Sequence, residues 1–155
     1  MQNDNITIAR RFVEGVLGGQ NPAAFDEIVD ENIRISTGLK PDGLIEGKEE
    51  YRSILMKFGS AFTNGRLTIT DIFASAEGDR VVVMFDAYAT HTGEMFGLLP
   101  TGVEVPMIET HVMRFHDGKL IENIVGGNNP LGFEMLLADA MRPMVLPEVY
   151  PTPKS

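Results

Sequence analysis

The sequence predicts an α+β fold. Apolar residues recur at helical spacing over residues 4–62, with one strand-like interruption, and again from Pro130. β-branched runs separated by turn signals fill the stretch between. At 155 residues the chain has the length of one domain with a substantial core.

Taken in order, Ile6, Ala9, Phe12, Val13, Val16 and Leu17 form one apolar face behind Asn3 or Asp4 as a cap, and Gly18-Gly19 stops that helix. Asn21 caps a second, short helix, "NPAAFDEIV", with Pro22 at its first position. "ENIRIST" alternates as a short strand, and "GLKPDGLIEG" reads as a loop. From Lys48 to Phe62, the residues Tyr51, Ile54, Leu55, Phe58, Ala61 and Phe62 make the strongest helical stripe in the chain.

Four strands follow: "RLTITDIFAS", "RVVVMFDAYATH", "VEVPMIETHVMRF" and "KLIENIVGG". Glu77-Gly78-Asp79 and Asp117-Gly118 suit tight hairpin turns, so these strands are expected to form an antiparallel meander. "PLGFEMLLADAM" predicts a short closing helix. The tail "RPMVLPEVYPTPKS" holds four of the nine prolines and is not helical. The expected organisation is a single domain over residues 1–141 and a Pro-rich tail over 142–155. Helices packed on a curved sheet would enclose an interior.

Charge narrows the partners. Thirteen basic and 22 acidic residues give a net charge of -9, a field that repels nucleic acid and anionic membrane surfaces. The absence of cysteine removes disulfides, thiolate metal sites and cysteine nucleophiles. Without a close pair of histidines either, no metal site is expected, and the nine methionines read as core filler. "MQNDNITIARRF" lacks the apolar segment of a signal peptide, and no run is long enough to span a bilayer, so the expectation is a cytoplasmic protein.

The Asp117-Gly118 turn allows the last two strands to be counted outward. If His116 pairs with Lys119, then His111 opposes Ile124, Glu109 opposes Gly126 and Met107 opposes Asn128. Met107, Glu109, His111, Met113, Ile124 and Asn128 then share a face, unless a bulge moves one strand's contribution to the other side. Apolar walls with a few convergent polar groups describe a small-molecule pocket. An imidazole and a carboxylate there are candidates for acid/base work. Phe12, Tyr51 and Leu55 would supply further apolar wall. His91, at the end of a strand beside "FGLLP", either lines the mouth of the pocket or hydrogen-bonds within its turn.

Three segments, "THTGEMFGLLPTGVEV", "HVMRFHDGKLIEN" and "NNPLGFEMLL", together resemble the SnoaL-like branch of the NTF2-like superfamily. The resemblance is best over residues 80–137. It implies a cone-shaped α+β barrel with three N-terminal helices on a curved mixed or antiparallel sheet, a deep pocket, and usually a homodimer formed through the sheet. It also implies activity on small apolar, polyketide-like or other carbonyl substrates. The best-known relatives are cyclases that close a ring by intramolecular aldol condensation, with neither metal nor cofactor. In them an Asp near the end of the last strand acts as acid/base, and that position falls here on Asn128 or Asn129. The Trp common in the last strand has Ile124 as its nearest match.

Two functions follow as expectations. One is a cofactor-free cyclase or isomerase, with His111 as base, Glu109 orienting it and Asn128 steadying the enolate oxygen. The other is a module of the same fold that holds a small ligand or an assembly partner without chemistry.

Overall fold

A computed structural model describes residues 2–128 of the chain, apart from residues 39, 41 and 96. The closing helix expected from Pro130, the tail 142–155 and Asn129 lie outside the described residues.

Helix α1 (Gln2–Arg11) runs directly into a π-helical turn, Phe12–Leu17. This turn ends where the Gly18 N–H donates to the Val13 carbonyl at 2.8 Å. A Cβ at Gly18 would stand 2.6 Å from the Glu14 carbonyl oxygen, so glycine is required for that closure. Phe12 and Val13 are both fully buried by the wider turn. Helix α2 (Ala24–Ile28) is shorter than its sequence signal, and strand β1 (Val29–Ser36) begins directly after it.

The expected loop before residue 48 contains a strand of its own. Strand β2 (Leu44–Glu46) folds back antiparallel on β1, pairing Ile35 with Ile45. Gly43, at φ 71°, makes the reversal possible. Helix α3 (Lys48–Ala61) then follows where the apolar stripe places it.

Strands β3 (Phe62–Ala74), β4 (Arg80–His91), β5 (Glu104–His116) and β6 (Lys119–Gly127) form the expected meander. The six-stranded sheet has the order β2-β1-β6-β5-β4-β3. β1 and β6 are parallel and every other neighbouring pair is antiparallel, so the sheet is mixed. Asp117 and Gly118 have φ of 47° and 73°, the left-handed pair that a two-residue hairpin demands.

One face of the sheet points at the helices. Val81, Val83 and Phe85 of β4, Met113 and Phe115 of β5, and Leu120 of β6 are buried there. They pack with Phe12, Phe25, Ile28 and Tyr51 from the helical layer. Each such side chain contributes about 1.5–3 kcal/mol on burial.

Candidate functional site

A cavity of about 510 Å³ lies between the helices and the sheet, within the range of small-molecule sites. Its walls are mainly apolar: Phe25 from α2, Leu55 and Phe58 from α3, Phe62 from β3, and Phe85 from β4. On β5, Met107, Glu109 and His111 line it, as strand alternation requires. Tyr51 and Val125 also reach its wall.

Glu109 and His111 touch. The imidazole Nε2 lies 2.8 Å from Glu109 Oε2. Behind it, His111 Nδ1 lies 3.0 Å from the Asn123 amide nitrogen. Both ring nitrogens are therefore engaged by the protein. The His111 side chain is only 3% exposed, whereas that of Glu109 keeps 28%, so the carboxylate presents the accessible polar atoms. The Phe85 ring sits 5.1 Å from the imidazole and shields the pair from one side.

Thr37 and Arg52 line the cavity as well, and Tyr51 adds a hydroxyl to this wall. Burial pushes its hydroxyl well above the ordinary range, partly offset by the neighbouring Asn123 amide, with the Glu109 charge adding to the rise. It is held as a neutral O–H. Asn123 Oδ1, though buried, has no hydrogen-bond partner among the described residues.

The last strand corrects the sequence-based register. His116 does pair with Lys119, and Phe115 with Leu120, but the next pair is Arg114 with Glu122. Ile121 is the extra residue of a bulge, and beyond it every β6 side chain changes face. His111 thus opposes Val125 rather than Ile124, and Met113 opposes Asn123. Ile124 opposes Val112 on the outer face and is 47% exposed, so it lines no cavity.

Asn128 is likewise misplaced by the sequence count. Its amide nitrogen donates to Thr110 Oγ1 at 3.0 Å, on the face opposite Glu109 and His111. It has no geometry for steadying an enolate in the cavity. Asn123, which sequence counting passed over, takes the inward position. The one trace of this in the chain is the adjacent pair Leu120-Ile121, which breaks strict alternation at the point where the bulge forms.

The remaining expected residues divide. Tyr51, Leu55 and Met107 line the cavity. Phe12 and Met113 are fully buried in the core and do not line it. Phe12 instead supports Tyr51, with ring centres 6.2 Å apart.

His91 is fully buried and is not among the lining residues. Its Nδ1 accepts the Thr101 backbone N–H at 3.2 Å, and its ring lies against Phe62 at 5.4 Å. It thus hydrogen-bonds within the connection between β4 and β5, and no described residue of that connection, 92–103, lines the cavity.

Comparison with known proteins agrees with this architecture. Three solved structures superpose over most of the chain: AclR, a candidate hydroxylase from Streptomyces galilaeus (21% identity, 96% of this chain and 88% of that one, TM-score 0.71); a candidate SnoaL-like polyketide cyclase from a Jannaschia species (19% identity, 94% of each chain, TM-score 0.71); and an NTF2-like protein of unknown function from Burkholderia pseudomallei (16% identity, 92% and 98%, TM-score 0.64). At these identities they establish a shared NTF2-like fold. None of the curated proteins matches the chain by sequence. The family model described as SnoaL-like polyketide cyclase matches residues 7–128, which include every described element except the start of α1. The chain belongs to the SnoaL-like polyketide cyclase family.

Proposed function

We propose that the protein is a cofactor-free cyclase or isomerase that removes a proton α to a carbonyl of a small, largely apolar, polyketide-like molecule. The observation that carries this is the 2.8 Å contact between Glu109 and His111 on the wall of a largely apolar cavity. Family membership supports the reaction class.

The geometry favours exchanging the two roles expected from sequence. An imidazole with both nitrogens occupied has no lone pair for a substrate proton, whereas the Glu109 carboxylate faces the cavity with capacity to spare. Glu109 is the base, and His111 orients its carboxylate and stabilises its charge through the Nε2–H donor. With Asn128 on the outer face, the neutral hydroxyl of Tyr51 on the cavity wall is proposed to donate to the developing enolate oxygen.

The test needs no knowledge of the natural substrate. Purified protein in D2O is mixed with a panel of β-keto esters and polyketone mimics, and deuterium uptake at the α-carbon is followed by NMR. Glu109→Gln should slow exchange by about 10²–10⁴-fold, the range for loss of a general base. Exchange at the wild-type rate in that variant would reject the assignment.

A second reading is retained because the cavity shows so few polar groups: a non-catalytic ligand-binding or assembly module of the same fold. Saturable binding with no enzyme-dependent exchange across the panel would favour it. In either case a homodimer through the outer sheet face is expected in the cytoplasm. The exposed Phe73 (48%) and Ile124 (47%) on that face support it, and a monomer by sedimentation at working concentration would remove it.

A further inference from the structure

We infer that Asn123 is a positioning residue of this site: its amide fixes the tautomer of His111 and thereby keeps the Nε2 proton directed at Glu109. The inference rests on the acid/base reading above, but it concerns the imidazole and can be measured without substrate.

Two independent constraints fix the direction of the hydrogen bonds. An ionised carboxylate only accepts, so the 2.8 Å contact with Glu109 requires a proton on His111 Nε2. Nδ1 must be bare, because the group facing it is an amide nitrogen, which only donates. The Asn123 amide nitrogen, at 3.0 Å, is that donor. This orientation turns Asn123 Oδ1 away from the imidazole. Asn123 and His111 therefore form a file of two donors that both point toward the acceptor, the cavity carboxylate of Glu109.

The backbone holds Asn123 in place for this task. It is fully buried, and its strand is gripped on both sides, with Ile35 of β1 and Met113 of β5 as its cross-strand partners. The bulge at Ile121 gives it the inward parity. Leucine at this position would leave Nδ1 without a donor. Aspartate would demand a proton on Nδ1 and place an imidazolium between two carboxylates. An amide is the side chain that serves a neutral ring with its proton on the other nitrogen.

The experiment is nitrogen-detected NMR of full-length protein labelled with ¹⁵N-histidine, with His111 assigned by the signals lost in His111→Gln. In the wild type, His111 should show a bare Nδ1 and a protonated Nε2. Asn123→Leu should abolish that fixed pattern, and Asn123→Asp should protonate both nitrogens. If the reaction class is as proposed, Asn123→Leu also lowers kcat on the order of 10- to 100-fold with little change in KM, as for outer partners that orient a working imidazole.

A proton on Nδ1 in the wild type would overturn the inference, as would an unchanged tautomer in both variants. The wild-type spectrum decides even if a variant fails to fold. Absent α-proton exchange with the expected tautomer in place would sink the reaction and leave the positioning role standing.

Discussion

Replacing Gly93 with alanine probes how the end of α3 is tied to the connection after β4. The N–H groups of Thr92 and Gly93 both donate to the Ala61 carbonyl at 2.9 Å. A Cβ built on Gly93 would stand 2.2 Å from the Ser60 carbonyl oxygen and 2.9 Å from Ala61 Cα, both of them backbone atoms. Relieving the first contact needs a movement of about 1 Å, enough to break both hydrogen bonds. Two net hydrogen bonds are worth about 1 kcal/mol each, and overpacking adds about 1–3 kcal/mol. The sum, about 3–5 kcal/mol, is a large part of a typical domain's stability. For a chain of this length it corresponds to a fall in Tm on the order of 10 °C, read by circular dichroism and matched by a lower urea midpoint. Gly59→Ala, at an exposed position of α3 on the rim of the cavity, is the control, because nothing lies within 4 Å of its built Cβ. That variant should gain about 0.5–1 kcal/mol. A Gly93→Ala protein melting within about 2 °C of wild type would refute the reasoning, since it would mean that the backbone yields without losing these bonds.

Two further outcomes follow from the same geometry. Asn128→Ala should leave the α-proton exchange of the wild type unchanged, because Asn128 pairs with Thr110 on the outer face; a loss of 10-fold or more would mean that the residue reaches the cavity after all. At the helical layer, the Arg52 guanidinium hydrogen-bonded to Asp26 holds its carboxyl below the usual value of 3.8. A depressed folded pKa stabilises above the unfolded value and is lost as pH falls through the folded one. The difference in urea midpoint between wild type and Asp26→Asn should therefore be present near neutrality and shrink below pH 3.8; a difference that grows on acidification would contradict the pairing.

Much of the architecture could be read from spacing, and the failures have identifiable causes. The stripe from Tyr51 to Phe62 places α3 because a long amphipathic pattern has one structural solution. Asp117-Gly118 places the last hairpin because few residue pairs tolerate two left-handed conformations. β2 was hidden because three residues among glycines and prolines carry no periodic signal; its pairing with β1 is a tertiary fact. At the site, Glu109, His111 and Met107 follow from simple alternation along an unbroken strand. Asn123 does not, since a single bulged residue reverses the parity of everything beyond it. A turn motif specifies where counting starts, but not whether the ladder stays in step.

The parallel pairing of β1 with β6 brings together an early and a late part of the chain, seating Ile35 beside Asn123. Such a junction carries a loop-closure cost that neither local helices nor neighbouring hairpins can offset beforehand. The pocket's inner wall is thus expected to form late, with the Ile35 and Asn123 amides gaining protection last in pulse-labelled hydrogen exchange. A nascent or truncated chain that stops before β6 would have an oily, unclosed trough where the finished protein has a chamber, and shielding that trough falls to whatever the cell provides during synthesis.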